Sequence, residues 1–322
     1  MITIAIDFGT SNTVVYDSRA GIVFQEPTVL ACHKNQKNQV YSIGYEAAKL
    51  LGRTPDDMVL YEPVTHSLVN DVNIAILFLN TVFQQNKIRF VNRAQMIFTA
   101  PSDISMVQRN ALYEIGKHFK CKKVIIESKS KMAAIGSDVD ASSSSGSMIV
   151  DLGAGTTDVS VISIGKIVVQ KVIPIAGKTI DEDIVRHMFL KHHLRIGMKN
   201  AEYIKMRIGT VASEKENRCL QVRGINVETS LPHSVVITTY EISDVLKRSV
   251  DHIVDCVRDT LFATPAELAG DIIENGISLT GGLSLLGGIR EYMEKELNIP
   301  VRITSDPLLS SIEGCRIFAR EK

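Results

Sequence analysis

Two short glycine-containing turns carry the residues best suited to hold a charged ligand. Asp7-Phe8-Gly9-Thr10-Ser11-Asn12-Thr13 and Asp151-Leu152-Gly153-Ala154-Gly155-Thr156-Thr157-Asp158 lie 144 positions apart, and each follows a leading carboxylate with glycine and hydroxyl residues. Glycine lets the backbone approach a ligand closely, exposed N–H groups and hydroxyls form an anion cradle, and an Asp at the start suits a hydrated cation. One copy is a weak signal, because Asp-x-Gly-Thr also occurs in ordinary hairpins. Two copies facing one another would grip a nucleotide's phosphates from both sides. A third element, Gly276-Ile277-Ser278-Leu279-Thr280-Gly281-Gly282-Leu283, runs an apolar strand into Thr-Gly-Gly. It reads either as a plain strand-to-helix turn or as a tip against which a flat adenine ring lies.

The elements that must position these turns are legible around them. Ile2-Thr3-Ile4-Ala5-Ile6 and Ser147-Met148-Ile149-Val150 read as buried strands, and Val14-Val15-Tyr16 and Val159-Ser160-Val161-Ile162-Ser163 as their hairpin partners. Capping boxes predict helices from Ser105 to about Lys117, from Thr179 to about Lys191 and from Thr238 onward. In the last, Ile242, Val245, Leu246, Val250, Ile253, Val254, Val257 and Leu261 follow helical spacing and should face a core. A polar, flexible break is expected at 137–146, just before the second turn motif. Strands alternating with helices in two similar halves predict an α/β protein with a ligand crevice between the halves.

Composition narrows the classes further. The 322 residues and 45% hydrophobic content suffice for two ordinary domains, while 36 basic and 36 acidic residues leave no electrostatic footprint for nucleic acid. Cys32, Cys121, Cys219, Cys256 and Cys315 show no paired spacing and predict reduced thiols in a cytoplasmic protein. No signal peptide is expected ahead of the first strand, and no apolar run approaches a membrane span, so any membrane contact should be peripheral.

With these motifs in place the chain resembles the ATPase superfamily of actin, DnaK-type chaperones and sugar kinases, and within it the bacterial actin (MreB) family. The resemblance runs from Ile4 to about Ala319 and includes Gly21-Ile22-Val23-Phe24-Gln25-Glu26-Pro27-Thr28-Val29, Leu51-Gly52-Arg53-Thr54-Pro55, Met132-Ala133-Ala134-Ile135-Gly136, Ala176-Gly177-Lys178-Thr179-Ile180-Asp181-Glu182, Leu231-Pro232 and Thr264-Pro265-Ala266-Glu267-Leu268. It implies an actin-like fold of four subdomains. Lobe I would span 1–145 with an insertion at about 32–73. Lobe II would span 146–322 with an insertion at about 178–240, its C-terminal helix at about 308–319 returning to lobe I.

The same resemblance assigns roles. Asp7 and Asp151 would hold Mg²⁺ through water, the alternative being that each caps its own turn. Gly9, Thr10, Ser11 and Asn12 would contact one side of the phosphates of ATP or ADP, and Gly153, Ala154, Gly155 and Thr156 the other. Thr156 would also help position the attacking water, and Thr280, Gly281, Gly282 and Leu283 would wall the adenine. Lys205 matches a nucleotide contact.

Two departures stand out. Where the family carries a Glu that orients the attacking water, the ungapped alignment places Lys129, in Glu127-Ser128-Lys129-Ser130-Lys131. A charged lysine cannot accept a proton but can neutralise phosphate oxygens, so hydrolysis should suffer before binding does. Glu127 could substitute only if its strand were bulged or slipped. Arg207 stands where the family uses a Glu for the ribose hydroxyls, and having no acceptor it must contact the sugar differently or not at all. His66 replaces a family Asp and reads as a solvated loop residue. His192 and His193, adjacent on a helix, point about 100° apart and cannot share a metal.

The function implied is a filament-forming, nucleotide-dependent bacterial actin determining cell shape, with paired antiparallel strands at the inner face of the cell membrane. Its partners would be further copies of itself, related paralogues or cell-shape proteins, and anionic lipids. Ile88, Phe90 and Val91, flanked by Lys87, Arg89 and Arg93, match the membrane loop, the alternative being a short edge strand with gatekeeping charges. A specialised paralogue for motility or scaffolding is the alternative. A DnaK-type switch would need a peptide-binding domain, and a small-molecule kinase a catalytic Asp, for which no motif is found.

Overall fold

A computed structural model describes residues 2–34, 36–137, 139–212 and 217–321. Two five-stranded sheets repeat one topology. In lobe I, strand Thr3–Phe8 pairs antiparallel with Asn12–Asp17, which pairs antiparallel with Gly21–Pro27; on its other edge it runs parallel to Gln95–Ala100, then Lys123–Ser128. In lobe II, Ser147–Leu152, Thr157–Ser163 and Lys166–Ile173 form the meander, and Ile277–Thr280 and Val301–Ile303 the parallel edge. Asp7 and Asp151 each sit one residue before the end of the central strand of their sheet. The strand-to-strand turns that follow are therefore equivalent places in two copies of one unit.

Each lobe buries its own apolar core. In lobe I, Phe78 of helix Val72–Gln85 is fully buried, stacks on Phe8 at 5.9 Å and meets Phe24 edge-on. Lobe II buries Val150, Leu152, Val159 and Val161 against the helix Thr239–Phe262. That helix behaves as its spacing predicts: Thr238 caps Glu241 N at 3.3 Å, seven of the eight apolar positions are buried, and Leu261 packs half-buried. Ser105 likewise caps the helix Met106–His118. The third helix differs. It spans Gly177–His192, two residues ahead of the predicted cap, and Thr179 lies inside its first turn with its hydroxyl donating to Pro174 O at 3.1 Å.

Small three-stranded sheets extend each lobe. Leu30–His33, Gln36–Ile43 and Met58–Tyr61 carry the short helix Gly44–Ala48; Leu194–Arg195, Cys219–Asn226 and Pro232–Thr238 pack with Gly177–His192 and Met198–Ile208. The break expected at 137–146 is more ordered than its composition suggests. Asp138 lies outside the described residues, but Val139 and Ala141 are buried with Ala133, Ala134, Ile149 and Ile162, and Gly146 N donates to Asp271 at 2.6 Å.

His192 and His193 do diverge. His193 adopts φ 49° and approaches Glu228, whereas His192 joins His187 in donating to one oxygen of Glu241, at 2.5 and 2.6 Å. Burial opposes the Glu241 charge, and these hydrogen bonds outweigh it, holding the carboxyl below its ordinary range. The three side chains are the group among the described residues whose donor atoms are close enough to share an ion, and at these distances they act as a hydrogen-bonded clamp between two helices.

The loop matched to a membrane contact is also reapportioned. Ile88 is 8% exposed and belongs to the lobe I core, Val91 is half-buried against it, and Phe90 alone stands out at 54%. Phe90 adopts φ 61° and carries Arg93 over its ring at 5.4 Å. Ile88 cannot enter lipid without leaving the core, which corrects its assignment.

The C-terminal helix Ser310–Glu321 leaves lobe II and crosses the helix Lys129–Ile135, sharing an apolar cluster with Ala5, Ile97 and Met132. The crossing is backbone on backbone: a Cβ on Gly314 would lie 1.7 Å from Met132 O, and one on Gly136 2.0 Å from Ser310 O. Gly314→Ala should therefore force the helices apart at a cost of about 1–3 kcal/mol and lower Tm by several degrees. Gly270→Ala, in an open helical position with nothing within 4 Å, should instead stabilise by about 0.5–1 kcal/mol. Thermal denaturation of the two variants checks the pair of expectations.

Candidate functional site

The two turns close by the same device. A Cβ on Gly9 would lie 2.6 Å from Asn12 O and one on Gly153 2.8 Å from Thr156 O, so each tight turn requires glycine where the chain folds back. Gly281, at φ 83°, is equally constrained: a side chain there would meet the Asp151 carboxylate at 2.4 Å. These three tips surround an interlobe cavity of about 420 Å³.

Of the residues singled out from the sequence, Asp7, Gly9, Thr10, Ser11, Asn12, Lys129, Asp151, Gly153, Ala154, Thr156, Lys205, Gly281, Gly282 and Leu283 line it. Four do not. Thr280 is buried and donates to Pro307 O, and Gly155 packs so tightly against Thr10 and His66 that it seals the lobes together. Glu127 pairs with Lys131 at 3.5 Å, and its strand keeps an unbroken parallel register, Glu127 beside Thr99, with neither bulge nor slip to swing it inward. Arg207 is exposed with its guanidinium 5.3 Å over the Tyr203 ring. Two residues from Lys205 on a helix is about 200° of rotation, so it faces the opposite side.

Glu202, one turn before Lys205, lines the cavity and was not anticipated. The signal was its i,i+3 spacing from Lys205, which places both on one helix face. It offers the acceptor that Arg207 lacks.

The hairpin tip His66-Ser67 is more than a solvated loop. Both residues have positive φ, 48° and 59°, and the tip spans the two turns: Ser67 N donates to Thr10 Oγ1 at 2.7 Å, Ser67 Oγ meets Thr156 Oγ1 at 2.9 Å, and His66 Nδ1 lies 3.3 Å from Gly155 O. Exposed as it is, His66 belongs to a latch between lobes. Beside the cleft, Asp158 accepts from Ser102 N and Oγ across the lobe boundary at 2.8 and 2.6 Å, and Lys178 pairs with Glu62 at 2.9 Å. Burial pushes the Asp158 carboxyl above its ordinary value, against the hydrogen bonds from Ser102 and Ser160.

At the centre, Lys129 Nζ lies 3.5 Å from Asp7 Oδ2 and 3.5 Å from Asp151 Oδ2. Burial works against the ammonium, but the carboxylates of Asp151 and then Asp7 outweigh it and raise its pKa above that of an ordinary lysine. The remaining oxygen of Asp7 accepts from Thr99 Oγ1 at 2.8 Å. That of Asp151 is buried beside Gly281 without a hydrogen-bond partner. This donor set does not fit Mg²⁺: each carboxylate already turns one oxygen to an ammonium, and the second points to its own lobe. A metal held by Asp7 and Asp151 would have to compete with that ammonium for both carboxylates.

A model of the MreB/Mbl protein family matches residues 1–322. The cell shape-determining protein Mbl of Bacillus cereus is 34% identical over 306 residues, 95% of this chain and 92% of that protein. The cell shape-determining protein MreB of Escherichia coli is 32% identical over 316 residues, 97% and 91% of the two chains. The crystal structure of MreB5 of Spiroplasma citri bound to AMPPNP matches with a TM-score of 0.95 at 33% identity, covering 99% of this chain and 96% of that one.

Asp181 gives the site a measurable pH dependence. It is buried, with Lys205 Nζ at 2.8 Å, and burial outweighs that cation to push its carboxyl up to about 6. Since the folded pKa exceeds the ordinary 3.8, the native state holds the extra proton and stability falls as pH rises between these values. Across that window the wild type should lose up to about 3 kcal/mol relative to Asp181→Asn. Denaturant titrations of both proteins at pH 4, 5, 6 and 7 would read it as a difference that grows and then levels off.

Proposed function

The chain belongs to the MreB/Mbl family, and from that premise we propose that it binds an adenine nucleotide between its lobes and assembles head to tail into filaments that serve cell shape. The observation that carries the reading is the cavity itself, lined from opposite lobes by Gly9 to Asn12 and by Gly153, Ala154 and Thr156. Backbone N–H groups at such turns favour phosphate, Gly281 to Leu283 offer a flat wall for a base, and Glu202 can accept from ribose hydroxyls. The relative bound to AMPPNP supports the same ligand class. A repeating contact between unlike faces makes an open filament rather than a closed ring.

Hydrolysis is expected to be slow. Thr156 lines the cavity to hold a water, but Lys129 is charged and Glu127 is turned to Lys131, so neither can take its proton. Membrane contact is proposed through Phe90, with Lys87, Arg89 and Arg93 meeting anionic headgroups at the cytoplasmic face. Copies of this chain, paired antiparallel or joined by related paralogues, are the proposed partners.

Pelleting by centrifugation tests assembly: sediment should appear with ATP and not without nucleotide, and equal pelleting in both conditions would count against the reading. Phosphate release should lag assembly, and Lys129→Glu with Mg²⁺ present should raise it by about 10²-fold or more, the scale of a restored general base. For the membrane contact, Phe90→Ser should weaken co-sedimentation with anionic liposomes by about tenfold through lost apolar burial, with Tm unchanged.

A further inference from the structure

We propose that the Lys129 ammonium replaces the divalent cation of this cleft, so that nucleotide phosphates are held without Mg²⁺. The inference rests on the nucleotide reading of the cavity and adds what neutralises the phosphate charge there. Lys129 is placed firmly. It opens the helix Lys129–Ile135, whose cap Ser128 accepts from Lys131 N at 3.3 Å, at the end of a strand in unbroken register. Behind it, the glycine crossing with the C-terminal helix holds that short helix backbone to backbone.

From this position one ammonium reaches a carboxylate on each lobe at the same 3.5 Å. Mg²⁺ demands a near-octahedral oxygen shell at about 2.0–2.1 Å with several waters, and that shell would have to share the space with a charged nitrogen. Asp7 Oδ1 accepts from Thr99 and Asp151 Oδ1 is buried beside Gly281, so each carboxylate turns its Oδ2 to the cleft, and there both face the ammonium. An ammonium carries three donors, and the two carboxylates face it as ion pairs at 3.5 Å. Lys129 is 21% exposed and lines the cavity, so its third N–H is available to a phosphate oxygen held by the Gly9 and Gly153 turns. A lysine that bridges the lobes in this way also makes their apposition independent of a metal.

The test is the affinity of the full chain for a fluorescent ATP analogue, measured by polarisation in EDTA and in excess Mg²⁺. Wild-type affinities should agree within about threefold. Lys129→Gln and Lys129→Met, each confirmed folded by Tm, should lose about tenfold to a hundredfold in EDTA, the range for one charge-assisted contact, and recover much of it when Mg²⁺ is added. Wild-type binding that appears only with Mg²⁺ would overturn the inference while leaving the nucleotide site intact. So would unchanged EDTA affinity in both variants. No binding under either condition would overturn the nucleotide reading, and this inference with it.

Discussion

Two buried carboxylates, one at the end of each central strand, face a single ammonium, and the interlobe architecture turns on that triad. Asp7 and Asp151 are only 7% and 4% exposed. At an effective dielectric near 20, each attractive pair at this range is worth on the order of 4 kcal/mol, and desolvation opposes much of it. The balance holds only while all three charges are present. Burial, and next to it the pull of Lys129 against the push of Asp7, leave the Asp151 carboxyl above its ordinary value. Without a cation the two lobes would present like charges to one another across the cleft.

Everything near the triad is built for close approach. Glycines at 9, 153 and 281 remove side chains that would strike backbone or the Asp151 carboxylate, and glycines at 136 and 314 let the C-terminal helix brace the helix that begins with Lys129. The Ser67 tip and the Ser102 contact to Asp158 add hydrogen bonds across the same boundary. The lobes are thus joined by polar groups around a cavity while each keeps a separate apolar core. Such an arrangement suits a molecule whose ligand joins two halves that fold independently of it.

The chemistry proposed for this cleft is binding with little turnover. On that proposal phosphates would meet Lys129 and backbone N–H groups, while Asp7, Asp151 and Glu127 each already face a lysine. Fold and reaction are separable in this way because the reaction rests on a few side chains grafted on a scaffold that does not need them.

The duplicated α/β fold, both glycine turns and the amphipathic helix after Thr238 were legible in the sequence. These are local signals: period, caps and glycine spacing fix them within a few residues. Tertiary structure decided the rest. Whether Lys129 meets phosphate, water or metal depends on Asp7 and Asp151, which no window of sequence brings beside it. Arg207 and Glu202 exchange places because helix rotation, not alignment, chooses which side chain faces the cavity. Ile88 sits in the core while Phe90 does not, since a left-handed turn at Phe90 sends the chain outward. His66 reads as a loop residue until the two lobes meet over it. For Lys129 and His66 the deciding interaction joins residues dozens of positions apart, and only packing places them together.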